Sequence, residues 1–251
     1  MLKDGAIALI DVLGFRGIWT RHEPSRLMSQ MERMRHELEL RVQKQFVNQP
    51  GYDCKISFLS DTVAISFSLE SHGQTHPCMP ALYLCDIVSW VLDWALRAEI
   101  PLAYRGAVSV GRHAISSNFL VGEAIDEAAA AHEAADGALV WLMPTARDLV
   151  ADFLRSNPKN THLVKFAVPI KDGKRFETYT VSPLEQAASE KDSQSLARTL
   201  LGTFSSSNLE VAIKKQNTAA HLVACFAWRN HKLPSDFPSL NCPGFPGGCL
   251  I

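Results

Sequence analysis

Apolar positions along this chain recur with two periods, and the alternation between the periods sets out the elements. Residues 6–15, AIALIDVLGF, form an apolar run broken by Asp11. This predicts a buried strand that carries Asp11 to its end and turns sharply into a helix through Gly14. From Pro24 to Phe46, Leu27, Met31, Met34, Leu38 and Val42 fall at three- and four-residue steps, the spacing of an amphipathic helix. Residues 52–68 predict two short strands folded at Ser60-Asp61. In the first, Lys55, Ser57 and Leu59 share one face and Cys54, Ile56 and Phe58 the other. A second long helix is expected over residues 80–98, then a strand in PLAYRGAVSVGRH with Arg105, Ala107 and Ser109 on one face. GEAIDEAAAAHEAA (122–135) predicts an alanine-rich helix stopped by Asp136-Gly137, and ALVWL a buried strand. PTARDLVADFLR predicts a helix with Pro144 in its first turn, and strands at 161–169 and 175–181 flank the hairpin turn KDGK. This order implies an α/β (α+β) sandwich with a mostly antiparallel sheet and helices on one face. Beyond Pro183 the pattern changes. Two helices, at about 184–203 and 208–229, lead to a Pro/Gly-rich tail, which divides the chain into residues 1–182 and a helical extension, 183–251.

Composition narrows the class. The 251 residues are 47% hydrophobic and 20% charged, enough apolar material for a sizeable core. The net charge of −1 leaves no basic footprint for long nucleic acid. Six cysteines occur without a CxxC or a paired zinc spacing, which fits a reduced cytoplasmic protein with Cys54 and Cys85 as buried thiols. No signal peptide is expected at MLKDGAIALIDVLGF. The apolar stretch 79–98 contains Asp86 and Asp93, which favours a core helix over a membrane span.

Candidate chemistry centres on Asp11 and Asp61, each at the end of an apolar strand. Two acids at the ends of neighbouring strands form a seat for hard divalent cations and the phosphates they carry. Turn aspartates that only bend the chain are the bland alternative. If Asp61 points into a site, Lys55 and Ser57 line it. Arg105, inside an apolar strand, needs a partner, either a neighbouring acid or an anionic or acceptor-rich ligand. His72 and His76 are read as residues of an ordinary surface loop, with a metal-binding pair as the alternative.

Four motifs in order resemble the class III nucleotidyl cyclase catalytic domain over about residues 5–182: DVLGF, KISFLSD, RGAVSVG and VGEAIDEAA. The resemblance implies a ferredoxin-like, palm-type sheet. It implies that Asp11 and Asp61, with the backbone carbonyl of Val12, hold two Mg2+ or Mn2+ ions. These would assist attack of a ribose 3′-oxygen on the α-phosphorus of a nucleoside triphosphate with loss of pyrophosphate. Phe15 and Arg16 would lie at a helix opening, where backbone N–H groups favour phosphate. The active sites would form at the interface of a homodimer.

The chain departs from the purine cyclases at three places. Where they carry an asparagine and an arginine on the interface helix it has Asp126 and Ala130, and Phe119 stands where a base-reading acid or cysteine is common. With Arg-Gly-Ala at 105–107, these departures resemble the bacterial pyrimidine cyclases of Pycsar antiphage defence. Those make cyclic UMP or cyclic CMP for a responsive effector. Uracil presents an acceptor where cytosine presents a donor, and lysine and arginine only donate. Contact from Lys55 or Arg105 at that edge favours UTP over CTP. His132, Arg112 and Arg147 are unranked candidates to replace the missing arginine. Two other readings are a nucleotide-binding regulatory domain without catalysis and another palm-type enzyme. The chain lacks the GG(D/E)EF-like turn of the latter.

Overall fold

The computed structural model describes residues 2–46, 51–69, 76–116, 119–157, 162–204 and 208–238. His72, Cys242, Cys249 and the expected Pro/Gly-rich tail from residue 239 lie outside these.

One mixed sheet organises the chain. Its strands are β1 (Lys3–Val12), β2 (Tyr52–Leu59), β3 (Thr62–Leu69), β4 (Tyr104–Ile115), β5 (Leu120–Val121), β6 (Val140–Leu142), β7 (Leu163–Pro169) and β8 (Arg175–Val181). Their order across the sheet is β2-β3-β1-β4-β6-β8-β7, with β5 attached to β4. Every pairing is antiparallel except that of β4 with β6. The helices are α1 (Pro24–Phe46), α2 (Met79–Arg97), α3 (Glu123–Ala131), α4 (Pro144–Ser156), α5 (Glu190–Gly202) and α6 (Leu209–Arg229). The α/β class and the mostly antiparallel sheet match the expectation from the sequence.

The two faces of β1 build two cores. Ala6, Ala8, Ile10 and Val12 pack with residues of α1, α2 and α4 such as Met34, Leu38, Leu84, Val88 and Val150. Ile7 and Leu9 point the other way, against Ala124, Ile125, Ala128 and Ala131 of α3. The helices are therefore divided between the faces. Alanines let α3 lie close to the sheet, and Ser109 Oγ donates to the Ala124 carbonyl beneath it. A third cluster joins α5 and α6 to the body, with Leu196, Leu200, Leu222 and Phe226 packed on Leu96, Ala103 and Val164.

Three elements differ from their sequence expectation, the simplest being α5, which begins at Glu190 and not near residue 184, behind an N-cap at Ser189 whose side chain accepts from Asp192 N–H. No α-helix opens at Gly14. Gly14 and Gly17 adopt φ of 73° and 75°, left-handed values that interrupt a helix, and only a 3-10 turn (Ile18–Thr20) forms before α1. The alanine-rich helix ends at Ala131 instead of at Asp136. Residues 134–136 peel off to bond with the end of β7 and the hairpin after it, where Asp136 N–H donates to Pro169 O (2.9 Å) and Lys171 N–H to Ala134 O (3.1 Å). Tertiary hydrogen bonding here overrides alanine's helix propensity.

Helix α2 is long and apolar enough to cross a membrane by length and composition, yet it is buried against the sheet and α1. Its acids are paired inside the fold. Asp93 accepts from Arg97 Nε (2.8 Å), and Asp86 meets Gln45, His162 and Arg41. Cys85 is buried and Cys54 partly so.

Gly106 explains why the Arg-Gly-Ala motif needs its glycine. A Cβ there would lie 2.2 Å from the Leu9 carbonyl oxygen and 2.7 Å from Ile10 Cα, both backbone atoms of β1. Gly106→Ala is therefore expected to destabilise the fold by about 1–3 kcal/mol, the usual cost of overpacking, or more, since backbone must move. Urea denaturation of the variant beside the wild type measures it.

His221 of α6 is fully buried and bonded to Thr180 Oγ1 (2.8 Å), whose hydroxyl lies 3.1 Å from the Val164 carbonyl and donates to it. The imidazole therefore donates from Nε2, and its Nδ1 is buried without a partner among the described residues. Burial pushes the imidazole pKa down to about 3. The unfolded chain binds a proton near pH 6.5 and the folded chain does not, so this contribution to stability is intact above pH 6.5 and lost as the pH falls. Between pH 7 and pH 5 the loss expected from this group is about 2 kcal/mol. A His221→Gln protein should show a correspondingly shallower fall in urea midpoint over that range.

Candidate active site

Backbone pairing brings the predicted acids together. β1 lies between β3 and β4, and its register sets Asp11 opposite Thr62 on one side and Arg105 on the other. Thr62 faces Leu59 across a two-residue turn, Ser60-Asp61. Ser60 takes φ 62°, a left-handed conformation uncommon for a residue with a side chain. This turn aims Asp61 back at β1, where the Asp61 carbonyl accepts from Val12 N–H (3.3 Å) and the two carboxylates come within hydrogen-bonding reach.

Asp11 is buried, with about 8% of its surface exposed. Burial raises its pKa first, and the neighbouring Asp61 carboxylate raises it further, while Arg105 pulls the other way. Thr62 Oγ1 lies 3.4 Å from Asp11 Oδ1, and Arg105 Nη2 lies 3.4 Å from Asp11 Oδ2. Two carboxylates forced together in a buried setting carry an electrostatic cost that a shared cation removes. This donor set fits Mg2+ or Mn2+, hard ions that take oxygen ligands and complete their shells with water and substrate phosphate. No group of three or more His, Cys, Asp or Glu side chains able to hold a metal occurs among the described residues.

The other predicted residues are distributed around this pair. Arg105 is an ion-paired side chain, bound to Asp11 and to Glu133 Oε2 (3.3 Å), with Nη1 donating to the Glu133 carbonyl (3.3 Å). The neighbouring-acid alternative for this arginine is thus realised. Lys55 and Ser57 lie on the Asp11 face of the sheet, since Cys54, Ile56 and Phe58 pack into the opposite core. Ser57 is buried. Lys55 pairs with Ser66 and hence lies level with Ile7, four residues along the strand from Asp11 or about 13 Å. Its Nζ is 3.4 Å from the Ile115 carbonyl and 3.9 Å from Asp53. Phe15 packs against the α1/α2 core, and Arg16 is exposed. Neither sits at an α-helix N-terminus. The loop is instead tied by Arg21, whose Nη2 donates to Gly14 O (3.2 Å).

On α3, Asp126 and Ala130 both face solvent, and Phe119 is 76% exposed beside it. The candidates for the missing arginine are engaged elsewhere. Arg112 pairs with Glu123, Arg147 with Asp148, and His132 Nδ1 with the Ala129 carbonyl. Glu133 and Thr62 escaped the sequence reading. Thr62 was signalled by its place beside Asp61. Glu133 had no signal, because alanine periodicity placed it inside a helix that ends two residues earlier.

No family model matches the chain, and no curated protein matches it. Among solved structures, the catalytic core of a rhodopsin-guanylyl cyclase with converted specificity, in complex with ATPαS, aligns with a TM-score of 0.50 at 11% identity. That alignment covers 72% of this chain and 96% of the other. The guanylate cyclase domain of RhGC from Catenaria anguillulae, in complex with GTP, aligns at 0.49 and 11%, covering 72% and 96%. An adenylate/guanylate cyclase/hydrolase from Silicibacter pomeroyi aligns at 0.48 and 13%, covering 73% and 98%. At such identity the likeness is one of fold: the chain is similar in its backbone arrangement to the rhodopsin-guanylyl cyclase core.

Proposed function

We propose that the protein is a nucleotidyl cyclase, a phosphorus–oxygen lyase that converts UTP to 3′,5′-cyclic UMP and pyrophosphate, with CTP as the alternative substrate. The observation that carries this reading is the meeting of Asp11 and Asp61 within hydrogen-bonding reach, at the ends of paired strands in a sheet whose fold resembles a cyclase core. Residues 1–182 form the catalytic part in this reading, and 183–251 the extension.

Asp11, Asp61 and the Val12 carbonyl would hold the two cations. When bound, these would supply positive charge to the triphosphate and to the reacting ribose oxygen. The protein's own part is positional. The β2–β3 turn fixes Asp61, and the β1 register fixes Asp11 beside it. The glycine-bent loop that carries Phe15 and Arg16 borders the space for phosphate. Lys55, exposed at 51% of its side chain, is the more accessible of the two donors proposed for the base, and Arg105 is held by carboxylates. A donor at the base edge favours uracil. The exposed residues of α3 and its surroundings, Asp126, Ala130, Phe119 and Val121, suit contact with a second copy, which would complete an interfacial site. An effector responsive to the cyclic nucleotide, in antiphage defence, follows from the resemblance to Pycsar cyclases.

A second reading is a nucleotide-binding domain without turnover. Ala130, exposed where purine cyclases carry an arginine, favours it.

Incubation with Mn2+ and each of the four nucleoside triphosphates, followed by mass identification of products, separates these readings. Cyclic UMP or cyclic CMP is expected. Binding without product supports the second reading, and linear or dinucleotide products would overturn both. Asp61→Asn is expected to abolish turnover with an unchanged circular dichroism spectrum and a melting temperature no lower than wild type, because Asp61 lies in a turn, is only partly buried and repels Asp11. Full activity in that folded variant would refute the cation assignment. Lys55→Ala is expected to reduce discrimination between UTP and CTP, read as the ratio of their kcat/KM values. An unchanged ratio would remove Lys55 from base recognition.

A further inference from the structure

Arg105 is placed between two carboxylates that have different surroundings. Its Nη2 is 3.4 Å from Asp11 Oδ2 and 3.3 Å from Glu133 Oε2. The side chains of Arg105 and Asp11 are 10% and 11% exposed, and that of Glu133 is 57% exposed. Nη1 is held by the Glu133 carbonyl at 3.3 Å, so Glu133 grips the guanidinium by both its backbone and its side chain. Arg105 Nε is buried with no hydrogen-bond partner among the described residues. Nη1 and Nη2 are therefore engaged, Nη2 by both acids at once, and Nε is not. Lys171 Nζ, 3.8 Å from Glu133 Oε2, continues the alternating row of charges outward.

A guanidinium cannot shed its proton at ordinary pH. A divalent cation seated on Asp11 would meet a fixed positive charge on the same carboxylate, and the repulsion is strong in a poorly solvated place. The guanidinium needs another counter-charge within a small swing, and Glu133 is that group. Resting on the reading of Asp11 and Asp61 as a cation seat, we infer that Glu133 is a positioning residue that draws Arg105 off Asp11 and so clears the carboxylate for the cation. Glu133 thereby sets how tightly the cation is held without touching it.

The test is Mn2+ binding to the full chain without nucleotide, followed by the electron paramagnetic resonance signal of free Mn2+. Wild type, Glu133→Gln, Arg105→Gln and the double variant are compared, with Asp11→Asn marking the site. Glu133→Gln is expected to weaken Mn2+ binding about three- to fivefold, the scale of a partly exposed charge pair. In the Arg105→Gln background the same change should have no effect, and Glu133→Asp should recover part of the wild-type affinity. Equal weakening in both backgrounds would make Glu133 a simple long-range attractor and overturn the inference, as would an unchanged affinity in Glu133→Gln. Should Arg105→Gln not fold, Arg105→Met is the background, because it keeps the apolar stem and carries no charge for Glu133 to draw, so the effect of Glu133→Gln should vanish there too. If wild type shows no Mn2+ binding that Asp11→Asn removes, the cation seat itself falls and this inference with it. The two failures are thus distinct.

Discussion

The pairing of β1 with β3 on one side and β4 on the other is the constraint on which the candidate site depends. Six successive residue pairs fix β1 to β3 and ten fix it to β4, so Asp11 cannot slide relative to Thr62 or Arg105. A shift of one residue would send every β1 side chain to the wrong face, putting Ile10 in the polar layer beside Arg105 and burying Asp11 among the α1 and α2 side chains. The apolar cost of that slip locks the position of the carboxylate. The core thus specifies the chemistry's geometry through register, and Val12, whose side chain lies in that core, meets Asp61 only through its backbone.

Gly106 shows how tightly this is drawn. The β4 backbone comes so close to Leu9 and Ile10 that a methyl group would not fit. Arg105 next to it therefore emerges against Asp11 and lies in the same buried layer. What reads in the sequence as a short motif is a packing requirement on one residue and an electrostatic consequence for its neighbour. The positive φ of Ser60 is a second such place, where backbone strain in a two-residue turn goes into the direction of Asp61.

Much of this was legible from the chain because the signals were periodic and local. Period two in β2 and β4 assigned Lys55, Ser57, Arg105 and Ala107 to the correct face, and the three- and four-residue spacing of Leu27 to Val42 gave α1 its full extent. The failures came where non-local contacts decide. Gly14 and Gly17 both take left-handed angles, so the stretch after Asp11 is a glycine-bent loop and the phosphate argument for Phe15 and Arg16 loses its helix. The alanine run after Ala131 yields to hydrogen bonds from the end of β7 and the β7–β8 hairpin. That early ending frees Glu133 to reach Arg105, and no one-dimensional pattern records it. The split of helices between two faces was also hidden, because alanine-rich α3 carries the same periodicity on either side of a sheet.

The row Asp61, Asp11, Arg105, Glu133, Lys171 alternates in charge after its first pair, running from the strand ends to the surface beside α6. The two acids at its inner end have a net negative charge that the single guanidinium does not cancel, since Arg105 is shared with Glu133. Desolvation makes that residual charge costly, which is why burial heads the causes that raise the Asp11 pKa. A buried like-charge pair beside a divided counter-ion is a poor device for stability, because well-packed apolar residues in its place are often neutral or stabilising. It would be a good device for drawing a cation, whose binding would remove the repulsion and, in the reading proposed above, let Arg105 settle on Glu133. This imbalance, which the strand register holds in place, supports a cation-dependent function independently of any resemblance.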